Sequence, residues 1–309
     1  MKVDFGLSAI RKTLIIIFSR VTLLLGCGGA FANDLTTKYN LREPASAIAA
    51  ELYFMHYVLM GICLVIFVVV FGFMFYSIYA HRKSKGFKPA DFHENTTMEI
   101  TWTLIPFLIV LGIGIYATPV VMAQKDTSNA ELTIKVTGYQ WKWGYEYLKG
   151  EGEGIKFLQT LTTPYDQRIN NEDKTNEYLI EVDNPLVVPV NKKIRVVITA
   201  NDVIHAWSLP AVGVKQDAIP GFVRDAWFKA ERTGTFIGQC SELCGKDHAF
   251  MPISVKVVTS EEYTDWVNKK IAVTKQSVDV AEGRSSNEAL KDGESVVISK
   301  FTEKQGGKE

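Results

Sequence analysis

Gln239-Cys240-Ser241-Glu242-Leu243-Cys244-Gly245-Lys246-Asp247-His248-Ala249-Phe250-Met251 is the stretch on which the reading of this chain turns. It gathers two thiols, an imidazole and a thioether, spaced so that a single loop could aim them all at one point. Residues 235–238 before it and 253–258 after it are β-rich, so the segment reads as a ligand-bearing loop between strands. A second imidazole, His205, stands upstream in Asp202-Val203-Ile204-His205-Ala206-Trp207. Soft sulfur ligands combined with imidazole favour copper. A mononuclear blue-copper site would use one Cys, two His and a weak Met, so the second cysteine points to two coppers bridged by two thiolates. The plainer alternative is a disulfide between Cys240 and Cys244, with Met251 as a core gap-filler. A disulfide, however, has no need of His248 and Met251 at short intervals behind it.

Working outward, the chain from about Asn129 alternates with period two. Leu132, Ile134 and Val136 interleave with Thr133, Lys135 and Thr137, as in a half-buried strand. Further β-rich stretches fall at residues 178–182, 194–200 and 223–229, punctuated by Asp183-Asn184-Pro185, Pro220-Gly221 and Thr233-Gly234. Many short strands with such turns predict a Greek-key sandwich or barrel over residues 129–258. Residues 138–147, Gly-Tyr-Gln-Trp-Lys-Trp-Gly-Tyr-Glu-Tyr, read as a strand whose alternate aromatic residues pack the barrel or its contact with a membrane partner.

The 309 residues are 47% hydrophobic, enough for a sizeable domain plus membrane spans. Formal net charge is zero, which gives no ground for nucleic-acid binding. Residues 1–32 read as a cleaved secretory signal, with Arg11 and Lys12 ahead of an apolar run and Ala30-Phe31-Ala32 at the cut. Leu24-Leu25-Gly26-Cys27 offers a rival cut that would leave Cys27 lipidated. Within residues 33–128, apolar runs at about 57–80 and 103–123 reach the ~20 residues of a spanning helix, although a buried core helix would share the pattern. His81-Arg82-Lys83-Ser84-Lys85-Gly86-Phe87-Lys88 lies between them, and the positive-inside rule puts this loop in the cytoplasm and everything after Ala123 outside.

The segment Cys240 to Met251, with His205-Ala206-Trp207 before it, resembles the dinuclear copper (CuA) centre of subunit II of aa3-type haem-copper cytochrome c oxidases. The resemblance runs from about Glu51 to about Val258. It implies a two-helix transmembrane hairpin followed by an all-β cupredoxin-like Greek-key barrel with its copper loops at one end. Cys240 and Cys244 would be the bridging thiolates, and His205 and His248 the terminal imidazoles, one on each copper. Met251 would be the weak axial ligand of one copper and the backbone carbonyl of Glu242 that of the other. By the same resemblance the Glu242 side chain faces a magnesium ion shared with subunit I. Trp141 is the surface point at which electrons enter from cytochrome c, and Glu99 lies near the mouth of a proton pathway. The implied activity is that of a proton-translocating oxidoreductase in a bacterial inner membrane, working with subunit I and other oxidase subunits. Electrons would pass to haem a in subunit I, where oxygen is reduced to water and protons are pumped.

Subunit II of quinol oxidases shares such a fold but lacks the copper ligands. Nitrous oxide reductase carries such a site but is soluble and has a large additional domain. A membrane-anchored copper chaperone would need neither Trp141 nor Glu242. Residues 129–258 hold sixteen Asp/Glu against fifteen Lys/Arg, so any acidic docking patch for cytochrome c must be local. In residues 259–309, an amphipathic stretch at 260–271 caps the domain and the remainder reads as a disordered tail. Gly293 to Gln305 resembles the opening helix of a cytochrome c domain fused to some relatives. Phe301, Lys304 and Gln305 stand where its haem-binding Cys-x-x-Cys-His would be, so no haem can be attached covalently there.

Overall fold

The computed structural model describes residues 40–88 and 91–281. The expected signal peptide, Cys27 and the stretch from Gly293 lie outside the described residues. All helices and strands below belong to the second of two units, Met1–Glu43 and Pro44–Glu309; in the first, the described residues 40–43 form neither.

Two long helices come first, α1 (Ala47–Ala80) and α2 (Thr96–Lys125). Both overrun the predicted apolar runs because polar residues set their starts. Ser46 Oγ accepts from Ala49 N–H, and Asn95 Oδ1 accepts from Met98 N–H while Glu99 Oε1 accepts from Asn95 N–H. The 34 residues of α1 extend roughly 50 Å, more than the ~30 Å hydrocarbon layer of a bilayer. Their large side chains are outward and bare: Val65, Phe73, Val110 and Ile115 are all more than 60% exposed. A soluble core helix would bury them, so the core-helix alternative fails and both helices are suited to lipid or to apolar partners.

The rest is two five-stranded sheets. One has the order β3 (Lys156–Gln159), β2 (Lys142–Lys149), β1 (Leu132–Tyr139), β5 (Ile194–Ala200), β8 (Arg224–Phe228). The other runs β4 (Leu186–Pro189), β10 (Pro252–Val258), β9 (Gly234–Cys240), β6 (His205–Leu209), β7 (Val214–Ala218). One apolar core draws on both, with Ile134, Val136 and Ile198 from the first and Leu186, Trp207 and Val255 from the second. The expected barrel is thus realised as a sandwich. Helix α3 (Ser260–Ala281) closes one side, burying Tyr263 and Val267 and setting Trp266 at a tilt against Tyr147.

Two expectations need correction. Residues 178–182 are not a strand but a turn, with Leu179 in the left-handed region and its N–H donated to Thr163 Oγ1; only Val182 makes a bridge, to Leu161. Residues 138–147 are not one strand but the tip of the β1–β2 hairpin, with Gln140 and Trp141 at the turn. Trp143, Tyr145 and Tyr147 do alternate into the core, as expected for packing residues.

Candidate metal centre

Strand register brings the first two ligands together. β6 and β9 pair antiparallel with Trp207 opposite Cys240, and Ser241 N–H donates to Ala206 O. His205, two residues before Trp207, is therefore the diagonal neighbour of Cys240, and its Nδ1 lies 3.9 Å from Cys240 Sγ. The fully buried imidazole needs room, and Gly138 on β1 supplies it: a Cβ there would sit 2.8 Å from His205 Cδ2. The other ring nitrogen, Nε2, is bonded to Asp202 Oδ1 at 2.8 Å. That bond fixes the ring so that Nδ1 faces the thiol.

The chain leaves β9 at Cys240 and returns at Pro252, which pairs with Gln239, so residues 241–251 form a closed excursion. Cys244 Sγ lies 3.9 Å from Cys240 Sγ, 3.5 Å from His248 Nδ1 and 3.5 Å from Met251 Sδ. Glu242 O lies 3.4 Å from Cys240 Sγ. Both cysteines are free, and their sulfurs are far beyond the ~2.05 Å of a disulfide. The loop is pinned through its carbonyls. Gln140 Nε2 and Trp141 Nε1 both donate to Cys244 O, at 2.8 and 3.3 Å, and Trp143 Nε1 donates to Met251 O at 3.3 Å. Gly245, at φ +122°, lets the loop pass beneath Trp141, since a Cβ would lie 3.0 Å from the indole.

Separations of 3.5–3.9 Å between these donors match the edges of a coordination shell with bonds of about 2.0–2.3 Å. His205, Cys240 and Cys244 alone bring their ligand atoms within 4.8 Å of one another. Thiol, imidazole, thioether and carbonyl donors together suit a soft metal better than a hard one. In the metal-free protein burial pushes both thiols up. For Cys240 the His205 imidazole and hydrogen bonds to the Ala206 and Glu242 backbone outweigh it, lowering the pKa to about 7. Cys244, buried beside Cys240, is pushed up to about 12. Burial also works against charging His205, yet contact with Cys240 and Asp202 raises its pKa overall.

Six of the residues singled out in the sequence lie in this cluster: His205, Cys240, Glu242, Cys244, His248 and Met251. Trp141 touches it through Cys244 O. The Glu242 side chain is exposed. Glu99 lies apart, in the first turn of α2, about 36 Å along the helix from Ala123, where α2 meets the sandwich. Asp202, Gln140, Gly138 and Trp143 were assigned no role in the site. The Asp202-x-x-His205 spacing was a usable signal for the first; the others become visible only once the sheets are assembled.

The family model for the periplasmic domain of cytochrome c oxidase subunit II matches residues 132–258, and that for its transmembrane domain matches residues 35–120. Cytochrome c oxidase subunit 2 of Cereibacter sphaeroides is 40% identical over 241 residues, covering 74% of this chain and 78% of the relative. A probable cytochrome c oxidase subunit 2 of Rickettsia bellii is 35% identical over 255 residues, covering 82% and 92%. The crystal structure of the periplasmic domain of subunit II of cytochrome oxidase of Bradyrhizobium japonicum is 49% identical, covers 47% of this chain and 97% of that one, and superposes with a TM-score of 0.42. With its helix pair and its β-domain each matched, and with relatives aligned over most of their length, the chain belongs to the family of cytochrome c oxidase subunit II, a component of an oxidoreductase complex.

Proposed function

We propose that the chain is the electron-accepting subunit of its oxidase, taking electrons from a cytochrome c at a CuA-type centre and passing them towards haem a in subunit I. The observation that carries this is the pair of free thiols 3.9 Å apart, each with its own imidazole and its own weaker donor. Cys240 and Cys244 would bridge two coppers, His205 and His248 would hold one each, and Met251 and Glu242 O would be the weaker donors. Such a copper pair, when bound, shares one unpaired electron and changes charge with little rearrangement. The protein's part is to hold the donors still. β6 and β9 fix His205 and Cys240, Asp202 orients the imidazole, and the core keeps water from Met251 and both sulfurs.

Trp141 is the surface end of the route inward. Its ring is half-buried at a hairpin tip, and its N–H is one hydrogen bond from the Cys244 carbonyl, which leads covalently to Sγ. The exposed Glu242 carboxylate would reach a magnesium ion at the contact with subunit I, and Glu99, whose Oε1 accepts from Asn95 N–H, would serve a proton pathway at the far end of α2. In this reading the basic loop at residues 81–88 is cytoplasmic, and the copper domain faces the periplasm of a bacterial inner membrane. Copper analysis and stopped-flow reduction of the purified oxidase test the proposal. Trp141→Ala should leave the copper content and absorption unchanged while greatly slowing reduction by cytochrome c. An unchanged reduction rate would remove Trp141 from the route, and a protein without copper would remove the proposal.

A further inference from the structure

The β6–β7 hairpin spans the sandwich from the metal centre to the membrane helices. His205 stands at its open end, and all five residues of β6 are buried. At its tip, Pro210–Val212 and Gly213 meet the start of α1. Ala45 N–H donates to Ala211 O at 2.6 Å, and Ala45 O accepts from Glu231 N–H at 2.8 Å. Ser46 Oγ donates to Val212 O at 3.0 Å while it caps α1 by accepting from Ala49 N–H. Ala45, Ser46 and Ala49 are buried. Gly213, at φ +75°, is packed so closely that a Cβ would lie 3.1 Å from both Ala49 N and Ile48 Cγ2.

The other sheet is tied to the other helix. Trp227 on β8 donates its indole N–H to Ala123 O of α2 at 3.0 Å. Lys193, just before β5, lies 4.3 Å from the Trp227 ring centroid and 3.8 Å from Asp126 at the end of α2. Each sheet is thus fastened to one helix, by a buried bond at Ser46 and a surface one at Trp227, and the sandwich cannot rock on either without breaking one of them. From the Ser46 contact at Val212 the path to His205 runs through the hairpin tip and then along one buried strand of about 17 Å. Close-packed interiors transmit such a displacement rather than absorb it.

We infer that Ser46 and Trp227 are positioning residues for electron transfer out of the metal centre: they fasten the two sheets to the two helices and so set how far the ligands stand from the next acceptor. This rests on the copper reading above. The test uses the whole purified oxidase with Ser46→Gly, which removes the hydroxyl but keeps a residue that caps helices well. It is joined by Trp227→Phe, which keeps a ring near Lys193 but removes the N–H, and by the double variant. Copper content, the copper EPR signal and the rate of reduction by cytochrome c should be unchanged. Internal transfer from copper to haem, followed by haem absorbance after flash reduction, should slow on the order of tenfold in the double variant. Each single variant should slow it less, and Ser46→Thr, which restores a hydroxyl, should recover the rate. Unchanged internal transfer in the single variants would overturn the inference, and so would a double variant that assembles and transfers normally. Absence of a copper signal in the unaltered oxidase would instead overturn the reading on which it stands.

Discussion

Cys240 and His205 sit on strands, whereas Cys244, His248 and Met251 belong to an excursion between strands, and the two halves of the site are held by different means. The strand half is fixed by β6–β9 register, a cavity left by Gly138 and the Asp202 bond. The loop half has no ladder of its own. It hangs from four side-chain donors, Gln140, Trp141 and Trp143 on the β1–β2 hairpin and Gln239 on β9. Electrostatics follow the same division, since Cys240 is lowered to about 7 and Cys244 raised to about 12 in the metal-free protein. Between them the two thiols give up one proton readily and hold the other tightly, as expected for neighbouring like charges. The strand half is therefore the more firmly held seat, and the loop half depends on the side chains that carry it.

The largest expected effect comes from removing that seat. Cys240→Ser or His205→Ala should abolish copper uptake by the full chain in detergent, while His248→Ala should keep a weaker site. Equal losses on both sides, measured by copper content after dialysis, would break the comparison. Next comes pH. Ligands must lose their protons to bind metal, and the thiol pair has its lower titration step near neutrality, so copper should displace more protons below neutral pH than above it. Affinity should fall as pH falls, more steeply below about pH 7. His205, also raised, adds to the steepness on the acid side. Calorimetry in buffers of different ionisation heat reads the protons released, and a count that does not change through neutrality would contradict the assignment.

Smaller effects sharpen the strand half. Asp202→Ala should weaken copper binding about 10- to 100-fold, the usual range for the partner of a metal-bound histidine. Asp202→Asn, which can still accept from the ring N–H, should weaken it less. Chelator competition distinguishes the two, and equal losses would mean that the carboxylate acts through charge rather than by orienting the ring. Gly138→Ala should destabilise the domain by about 1–3 kcal/mol, because the added methyl drives into the His205 ring. A thermal melt of metal-free chain with no change would show that the ring can move aside.

The chemistry of the site was legible in the sequence because its donors are crowded into one segment and one short upstream motif. What the sequence hid was the support. Gly138 and Trp143 lie more than 60 residues before His205 and meet it only because the β1–β2 hairpin faces β6 across the core. The same division holds for the fold. β1 and β5 alternate strictly between buried and half-buried residues, and their period-two pattern shows it. β4 and β6 are buried at every position, so they carry no alternation and passed unmarked. Residues 178–182 misled in the opposite sense, their β-prone composition overridden by a left-handed Leu179 and its tie to Thr163. The helices were placed by their apolar runs, but their ends were set by Ser46 and Asn95, polar residues outside those runs.

The most direct measurement is the EPR spectrum of the full chain, loaded with copper(II) in detergent at neutral pH. The account predicts the hyperfine pattern of one electron shared equally by two copper nuclei, lost in Cys240→Ser. A pattern from a single copper nucleus, or no uptake with Cys240 and Cys244 joined as a disulfide, would contradict it.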